Sequence, residues 1–235
     1  MLILKSLLFG MYFIKISYRN YLPLFFFLLL FNYIVQTMNN PLLIFLSFIL
    51  YLVISSPICV NIYRSIILEK PLGNHYLQFL YEEYTKLFIK KLFVLISAII
   101  GIYIIHIMIL SPFIPQDISK MTIFLYVLFL YMIYIYTRLF FILPAAALGK
   151  SYSFKECYFM TKGNSIKIFL YYIALVIPYV ILNNYISDLF YSSKDYVGLV
   201  LGISFQMIFI VLSTSLVAYL YKGIIDSDPS LRIKD

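Results

Sequence analysis

The side chains of this 235-residue chain that could do chemistry lie singly within long apolar stretches. His106 could relay a proton or bind a ligand, but no Asp or Glu lies within these stretches to act with it. We therefore favour a hydrogen bond from His106 to a tyrosine or to a carbonyl of a neighbouring helix. Gln206 is typical of a side chain that joins two helices by hydrogen bonding. Asn183 and Asn184 follow Pro178, so they lie either in a cavity beside a broken helix or near a simple kink.

Three basic residues, Arg64, Arg138 and Lys222, stand at or near the ends of apolar stretches. A guanidinium group matches phosphate oxygens with two parallel hydrogen bonds, so these residues are candidate contacts for a lipid phosphate or another anion. Together they could form a basic ring at one face of the membrane. The alternative is that each side chain extends to the headgroups along its own stem or binds carbonyls at a helix end.

Signatures of catalysis are lacking in the sequence. No nucleophile–base pair, glycine-rich phosphate loop or metal-ligand spacing stands out. The two cysteines, Cys59 and Cys157, have no histidine beside them, which favours a role as small apolar side chains over a metal site or a disulfide. The sequence therefore predicts a protein that is not an enzyme, with no catalytic residue, no metal and no cofactor.

The composition indicates what surrounds these residues. Hydrophobic residues make up 63% of the chain and charged residues 12%, with a mean hydropathy of +0.96. A soluble domain is nearer half apolar and a quarter charged, so lipid must be the main solvent. The net charge of +8 comes from residues beside apolar runs, which indicates anionic lipid at the cytoplasmic leaflet rather than nucleic acid as the partner. One membrane domain over residues 1–235 accounts for the length.

Six stretches are at or near the length of about 20 residues that a helix needs to cross a bilayer. They are Tyr21–Met38, Pro41–Tyr63, Leu92–Pro112, Met121–Leu143, Ile166–Ser187 and Tyr196–Tyr221. Short turns join the stretches in pairs. The predicted fold is therefore all-α, with six transmembrane helices arranged as three hairpins.

Each hairpin is preceded by a predicted interfacial amphipathic helix. These helices cover about residues 2–19, 75–90 and 154–162. In the first, Lys5 and Lys15 share a narrow polar face, as in a helix that lies in the membrane surface. In the third, Ser153 and Glu156 form a capping box, and Gly163 supplies a stop. Basic residues recur around each hairpin at similar spacing, which favours a threefold repeat over coincidence.

The distribution of lysine and arginine predicts the orientation. Sixteen of the 18 basic residues lie on the side of the membrane that holds residue 1, and only Lys120 and Lys194 lie on the other side. Short loops that are rich in lysine and arginine stay in the cytoplasm. We therefore predict a multi-pass protein of the bacterial inner membrane with both ends of the chain in the cytoplasm.

Three segments of the chain resemble a known group of proteins. They are ICVNIYRSIILEK from Ile58, RLFFILPAAALG from Arg138 and SFKECYFMTKGN from Ser153. They resemble uncharacterised bacterial inner-membrane proteins that are similar to the YciC-type family and to the membrane domain attached to some glycerophosphodiester phosphodiesterases. The resemblance implies a six-span helical fold. It implies no catalysis, because the phosphodiesterase activity belongs to a separate soluble domain with paired histidines, whereas this chain has only His75 and His106.

Two functions fit these features. The first is a non-enzymatic membrane protein that handles or organises lipids, or transports a small amphiphile, as the interfacial helices and basic anchors suggest. The alternative is a structural or assembly subunit of another membrane complex with no ligand of its own, since polar groups within the predicted spans are few. Either function is compatible with a protein partner or a homo-oligomer.

Overall fold

The computed structural model of the chain describes residues 2–16, 27, 31, 35, 40–73, 81–110, 118–190 and 196–227. All regular secondary structure in this part of the chain is helical. Numbered in chain order, the helices are α1 (residues 2–16), α2 (Pro41–Ile67), α3 (Glu83–Leu110), α4 (Ile118–Leu139), α5 (Ile142–Ala147), α6 (Phe154–Met160), α7 (Ser165–Phe190) and α8 (Tyr196–Ser227). A helix suits apolar sequence in lipid because it pairs its backbone polar groups within one segment.

Five helical segments are long and apolar enough to cross a membrane. They are Pro41–Ile67, Glu83–Leu110, Phe124–Ala147, Ser165–Tyr185 and Ser204–Ser227. The chain is therefore a multi-pass integral membrane protein that is all-helical in its described part. The first predicted span, Tyr21–Met38, lies outside the described residues except at three single positions. Six spans in three hairpins consequently stay a prediction.

Side-chain contacts between helices define two ends of the bundle. Arg64 near the end of α2 lies on the ring of Tyr84 at the start of α3. Lys222 near the end of α8 donates to the end of α2. Arg138 at the end of α4 donates to Ser165 at the start of α7. We call the side where these contacts lie the basic end, and the opposite side the distal end.

The helices pack in an order that their sequence positions do not predict. α2 packs along α8 and α8 packs along α7, while α5 fills the space between α2, α3 and α8. α2 and α8 run in the same direction, because Cys59 contacts Thr214 and, further along both helices, Ile66 contacts Lys222. This pairing joins the first predicted hairpin to the third.

The best-packed core lies towards the basic end. Its fully buried side chains include Val60, Ile62, Phe141, Ala146 and Leu216. Towards the distal end, α3 and α7 expose apolar side chains such as Ile104, Met108 and Ile181. Because these side chains lie on helices that cross the membrane, lipid can solvate them without cost, and the helices need not pack tightly there.

α3 corrects the predicted boundary between the second interfacial helix and the third span. The prediction ends one helix near Lys90 and begins another at Leu92, but α3 runs without interruption from Glu83 to Leu110. Only Lys91 lies between Lys90 and Leu92, so no glycine or proline ends the helix there. The long stem of the exposed Lys90 allows its charge to reach the headgroups from a continuous helix, while the Lys91 ammonium donates to the Tyr152 carbonyl at 2.9 Å. Residues 74–80 lie outside the described part.

The predicted fourth span, Met121–Leu143, is interrupted in the structure. α4 ends at Leu139 and α5 begins at Ile142, with Phe140 and Phe141 in the turn between them. Pro144 explains the break, because in a continuous helix its ring would clash with the carbonyl of Phe140, four residues earlier. In the first turn of a new helix the same proline is tolerated, since its missing N–H would be unpaired there.

α5 ends in a Schellman motif centred on Gly149. The N–H of Lys150 donates to the Ala145 carbonyl at 2.9 Å and that of Gly149 to the Ala146 carbonyl at 2.9 Å. Gly149 has a φ of +81°. A Cβ at this position would also lie 3.0 Å from the Tyr84 ring. Glycine is therefore required here for both conformation and space.

α1 has a protein-facing side that the sequence analysis did not predict. Ser6, Gly10 and Phe13 are buried on this side, while most of the helix is exposed. The Ser215 hydroxyl donates to the Ser6 carbonyl at 3.4 Å. A Cβ on Gly10 would lie 2.9 Å from Leu212. A serine and a glycine four residues apart thus allow α1 to approach α8 closely, as small residues do between membrane helices.

Candidate functional site

Arg138 connects three helices at the basic end. Its Nη1 donates to the Ser165 hydroxyl at 2.7 Å and to the Tyr134 hydroxyl at 3.2 Å, and its Nη2 donates to the Tyr158 carbonyl at 2.9 Å. The guanidinium carbon also lies 3.8 Å from the centre of the Tyr158 ring, a cation–π contact. Ser165 extends this hydrogen-bond network, because its hydroxyl donates to the Thr161 carbonyl at 3.0 Å.

Arg138 is directed at protein groups rather than at lipid. The residue is only 7% exposed, and its Nε has no hydrogen-bond partner in the described part of the chain. Its partners are two neutral hydroxyls, a carbonyl and an aromatic ring. The structure therefore places Arg138 where it fixes the start of α7 and the helix before it.

Arg64 and Lys222, the two other candidate anion contacts, also have protein partners. The Arg64 guanidinium carbon lies 4.0 Å from the centre of the Tyr84 ring, and its Nη1 lies 3.5 Å from the Ala147 carbonyl oxygen. Lys222 pairs with Glu69 and donates to the Ile66 carbonyl. Both basic side chains are half-buried.

The predicted basic ring is therefore divided among separate contacts. Arg64, Arg138 and Lys222 all lie at the basic end, but none shares a protein partner with another among the described residues. The Lys222 ammonium lowers the pKa of the Glu69 carboxyl by hydrogen bonding and by charge attraction. Among pairs in which the structure describes both residues, this is the only salt bridge.

A second feature of the basic end is the segment of residues 153–167, which we call the aromatic–basic segment. It begins with the predicted capping box, which is confirmed: the Glu156 N–H donates to the Ser153 hydroxyl, and the Glu156 carboxylate accepts from the Ser153 N–H at 2.6 Å. Hydrogen bonds from the Ser153 hydroxyl and from the Ser153 backbone N–H lower the pKa of the Glu156 carboxyl. The predicted stop is also confirmed, because Gly163 follows α6 with a φ of +84°.

The outer surface of the aromatic–basic segment combines rings, aliphatic groups and lysines. Tyr158 is 50% exposed and Phe159 55% exposed. The exposed lysines are Lys155, Lys162 and Lys167. Cys157 lies on the inner side, where burial raises the pKa of its thiol to about 12, so the thiol stays protonated at neutral pH.

The polar residues predicted within the spans lie apart from this segment. The predicted hydrogen bond from His106 to a neighbouring helix is wrong. The Nδ1 of His106 lies 2.7 Å from the carbonyl oxygen of Ile102, which belongs to the same helix. The bond to Ile102 requires a proton on Nδ1. The imidazole contacts Tyr131 of α4 only through the rings, 5.3 Å apart. Asn183 is half-buried and Asn184 is exposed on α7, beyond Pro178.

Gln206 lies in a groove between α2, α7 and α8. The groove has a volume of about 400 Å³ and is lined by Phe31, Ile44, Ser47, Phe48, Tyr51, Tyr179, Gln206 and Phe209. The Tyr179 ring stacks on that of Phe209, with centroids 3.7 Å apart. The interhelical hydrogen bond predicted for Gln206 is not formed with any residue that the structure describes.

Asn61 is a structurally important residue that the sequence analysis missed. Its side-chain amide donates to the Gly73 carbonyl at 3.1 Å and accepts from the Gly73 N–H at 3.0 Å, which folds the chain after α2 back onto that helix. The signal in the sequence was an asparagine in an otherwise apolar run. What it binds depends on a turn that sequence periodicity does not predict.

No group of three or more His, Cys, Asp or Glu side chains that could hold a metal ion occurs in the described ranges. No protein-family model, no curated protein and no solved structure matches this chain. The structural basis for a function is therefore the aromatic–basic segment at the basic end and the groove nearer the distal end.

Proposed function

We propose that this protein is a non-enzymatic membrane protein that organises or handles lipids, and that it binds anionic phospholipid through the aromatic–basic segment. The observation that carries this proposal is the outer surface of the segment. Exposed rings of Tyr158 and Phe159 lie there beside exposed Lys155, Lys162 and Lys167. Aromatic rings favour the membrane interface, where one side is apolar and the other wet.

The charge of the segment favours an anionic partner. Residues 153–167 contain three lysines and one acidic residue, Glu156, which leaves a net charge of +2. The Glu156 carboxylate accepts hydrogen bonds from Ser153 and caps α6, and it forms no salt bridge with Lys155, Lys162 or Lys167. Each basic residue close to an anionic membrane surface contributes about 1 kcal/mol to binding.

Arg138 supports this function as a positioning residue. Its hydrogen bonds to Tyr158 and Ser165 fix two points of the aromatic–basic segment on α4. A surface whose side chains are already in place loses less conformational entropy when it binds. The proposed role of Arg138 is thus to hold the lipid-binding surface, while the lysines make the contact.

Arg64 and Lys222 have a secondary place in the proposal. Each is half-buried and bound to protein groups, so each adds positive potential at the headgroups without being free to clasp a phosphate. The proposed orientation, with the basic end in the cytoplasm of a bacterial cell, follows from the charge asymmetry. The proposed kinship with YciC-type proteins is compatible with a role of this kind.

Lipid enrichment in bilayer nanodiscs tests the proposal. The protein is reconstituted in a mixture of phosphatidylcholine and phosphatidylglycerol, and the lipid that stays with it after mild extraction is quantified by mass spectrometry. We expect wild-type protein to retain the anionic lipid preferentially. The K155Q/K162Q/K167Q variant should lose that preference by a factor of roughly one hundred, since three lysines at about 1 kcal/mol each contribute about 3 kcal/mol.

A variant of equal charge provides the control. K70Q/K86Q/K90Q also removes three exposed lysines, but outside the aromatic–basic segment. It should retain most of the preference for phosphatidylglycerol. An equal loss in both variants would show that overall charge rather than this segment attracts the lipid. If the wild-type protein shows no preference and instead cross-links to one dominant protein in native membranes, the role of an assembly subunit replaces the proposal.

A further inference from the structure

The groove between α2, α7 and α8 lies inside the hydrocarbon layer. Tyr51 lies 10 residues after the start of α2 at Pro41, and Gln206 lies 10 residues after the start of α8 at Tyr196. At 1.5 Å per residue, both side chains are about 15 Å from the distal ends of their helices. Tyr51 lies well inside the spanning segment Pro41–Ile67, and Gln206 lies inside Ser204–Ser227 near its distal end, so this level is within the distal half of the bilayer.

Three polar side chains meet the groove at this level. Tyr179 lies 11 residues before the end of α7 at Phe190, a distance of about 17 Å, which matches Tyr51 and Gln206. Within the described part of the chain, neither tyrosine hydroxyl nor the Gln206 amide has a hydrogen-bond partner. Polar groups in hydrocarbon normally pair with one another or with the backbone.

The other walls of the groove are flat and apolar. Phe48 of α2 and Phe209 of α8 line it, and Tyr179 stacks its ring on Phe209. Rings of this kind pack well against a flat conjugated ligand. The ligand must also enter from the bilayer, so it must dissolve in lipid.

The three polar groups restrict the chemistry of the ligand. The Gln206 amide carries two N–H donors and each tyrosine carries one O–H donor. A carbonyl oxygen has two lone pairs and no hydrogen to donate, so it fits such a set of donors. The hydrocarbon tail of a simple acyl lipid would offer this level only methylene groups and would leave the donors unpaired.

We propose that the groove binds a lipophilic quinone, a flat carbonyl-bearing ring with a hydrocarbon tail, and that Gln206, Tyr51 and Tyr179 donate hydrogen bonds to its carbonyl oxygens. Binding of a quinone would extend the proposed lipid handling to a named class of ligand. It rests on the proposed function only because both require the helices to lie in a bilayer. The groove volume of about 400 Å³ is sufficient for such a head group.

Tryptophan fluorescence tests the inference, because the chain contains no tryptophan of its own. The F48W variant places one reporter in the groove, where Phe48 is 50% exposed, and F129W places one on the lipid-facing surface of α4, where Phe129 is 56% exposed. Each protein is reconstituted in phosphatidylcholine vesicles without anionic lipid, and decylubiquinone is added as the quencher. Failure of the anionic-lipid proposal thus leaves this test intact.

We expect saturable quenching in F48W and only linear, partition-driven quenching in F129W. Adding Q206L to F48W should raise the half-saturating quinone fraction by roughly tenfold, the usual effect of one lost hydrogen bond to a buried group. Adding Y51F to F48W should raise the half-saturating quinone fraction by a smaller factor. Because Y51F keeps the aromatic ring, it tests the hydrogen-bond donors even if Q206L does not fold.

Three results would overturn the inference. The first is linear quenching of equal slope in F48W and F129W. The second is saturable quenching in F48W that neither Q206L nor Y51F weakens, since the donors would then be irrelevant. The third is a brominated alkane with no carbonyl group that saturates F48W at the same mole fraction as the quinone, because hydrocarbon alone would then account for binding.

Discussion

The basic half and the distal half of this bundle contain similar residues but are packed differently. In the basic half, α5 is buried on all sides, and Arg138 connects α4 to the helices that follow it. In the distal half, α3 and α7 expose their apolar side chains, and His106 bonds to its own helix. An apolar sequence forms a helix in both halves of the bundle. Helices are joined to one another where polar groups and small residues meet.

This difference gives the two halves different roles. The basic half holds the fold together and fixes the aromatic–basic segment, so it suits a permanent contact with headgroups. The distal half leaves a groove between α2, α7 and α8 in which the Tyr51 and Tyr179 hydroxyls and the Gln206 amide have no hydrogen-bond partner among the described residues. A ligand that enters from lipid can occupy such a groove without displacing a protein contact. The following substitutions test how far the division holds.

The largest effect is expected for R138M, which removes the guanidinium group that connects α4 to α6 and α7 in the basic half. It removes the hydrogen bonds that Arg138 donates to the Tyr158 carbonyl and to the Ser165 hydroxyl, and it abolishes the cation–π contact. Hydrogen bonds to a charged group contribute about 1.5–3 kcal/mol each, so we expect a loss of roughly 3–5 kcal/mol in unfolding free energy. Unfolding in mixed detergent micelles, followed by circular dichroism, measures it.

R138K is the matched control for the charge. Lysine keeps the positive charge but cannot donate in the planar fork that reaches two helices at once. We expect its stability to lie between those of the wild type and R138M. If R138M unfolds at the same detergent composition as the wild type, the basic half does not depend on this residue.

The next effect comes from the pair G149A and G163A. Both glycines have a left-handed backbone, with φ of +81° and +84°, so alanine costs about 1 kcal/mol at either site. A Cβ at Gly149 also lies 3.0 Å from Tyr84, whereas one at Gly163 meets nothing within 4 Å. We therefore expect G149A to be the more destabilising variant. Its total loss of unfolding free energy should be about 2 kcal/mol, against about 1 kcal/mol for G163A. Equal losses in micelle unfolding would show that Tyr84 moves aside freely.

A smaller effect is expected in the distal half for H106L. The imidazole bonds to Ile102 within α3 and touches Tyr131 by ring contact only, so its loss separates no two helices. Hydrogen bonds between side chains in membrane proteins average about 0.6 kcal/mol, and we expect a loss below about 1 kcal/mol. The same unfolding assay measures it. A loss as large as that of R138M would contradict the division into two halves.

The smallest effect is expected for E69Q, which removes the exposed ion pair with Lys222. Lys222 lowers the pKa of Glu69 below its usual 4.5, so the pair stabilises the fold above that pH. The contribution is lost as the pH falls through the lowered pKa. Wild type and E69Q should therefore differ slightly in melting temperature at pH 7 and converge in acid, as scanning calorimetry in micelles can show. A difference that grows in acid would have the wrong sign.

Local features were predictable from sequence because their causes are local. The capping box of Ser153 and Glu156 and the stop at Gly163 depend on residues within one turn of each other. The break before α5 was also present in the sequence, since Pro144 excludes a continuous helix, but the predicted span ran to Leu143. Hydropathy alone does not register a break whose flanking residues are all apolar.

Partners across the bundle could not be predicted in the same way. The sequence marked Arg138 as a basic residue near a helix end, yet the three hydrogen bonds that it donates go to residues 4, 20 and 27 positions away. Gln206 was marked as a polar residue in a span, but the groove around it is formed by three helices. Without the relative placement of the helices, a binding group and a structural group look alike.

The sequence by itself determined that the chain is a helical protein of the membrane, because the free energy of placing apolar side chains in lipid adds up residue by residue along the chain. The pairing of α2 with α8, the burial of Arg138 and the groove beside Gln206 were decided by the tertiary structure. In lipid, no hydrophobic force selects which apolar faces meet. Close packing at small residues and a few hydrogen bonds make that choice, and both depend on the three-dimensional arrangement of the helices.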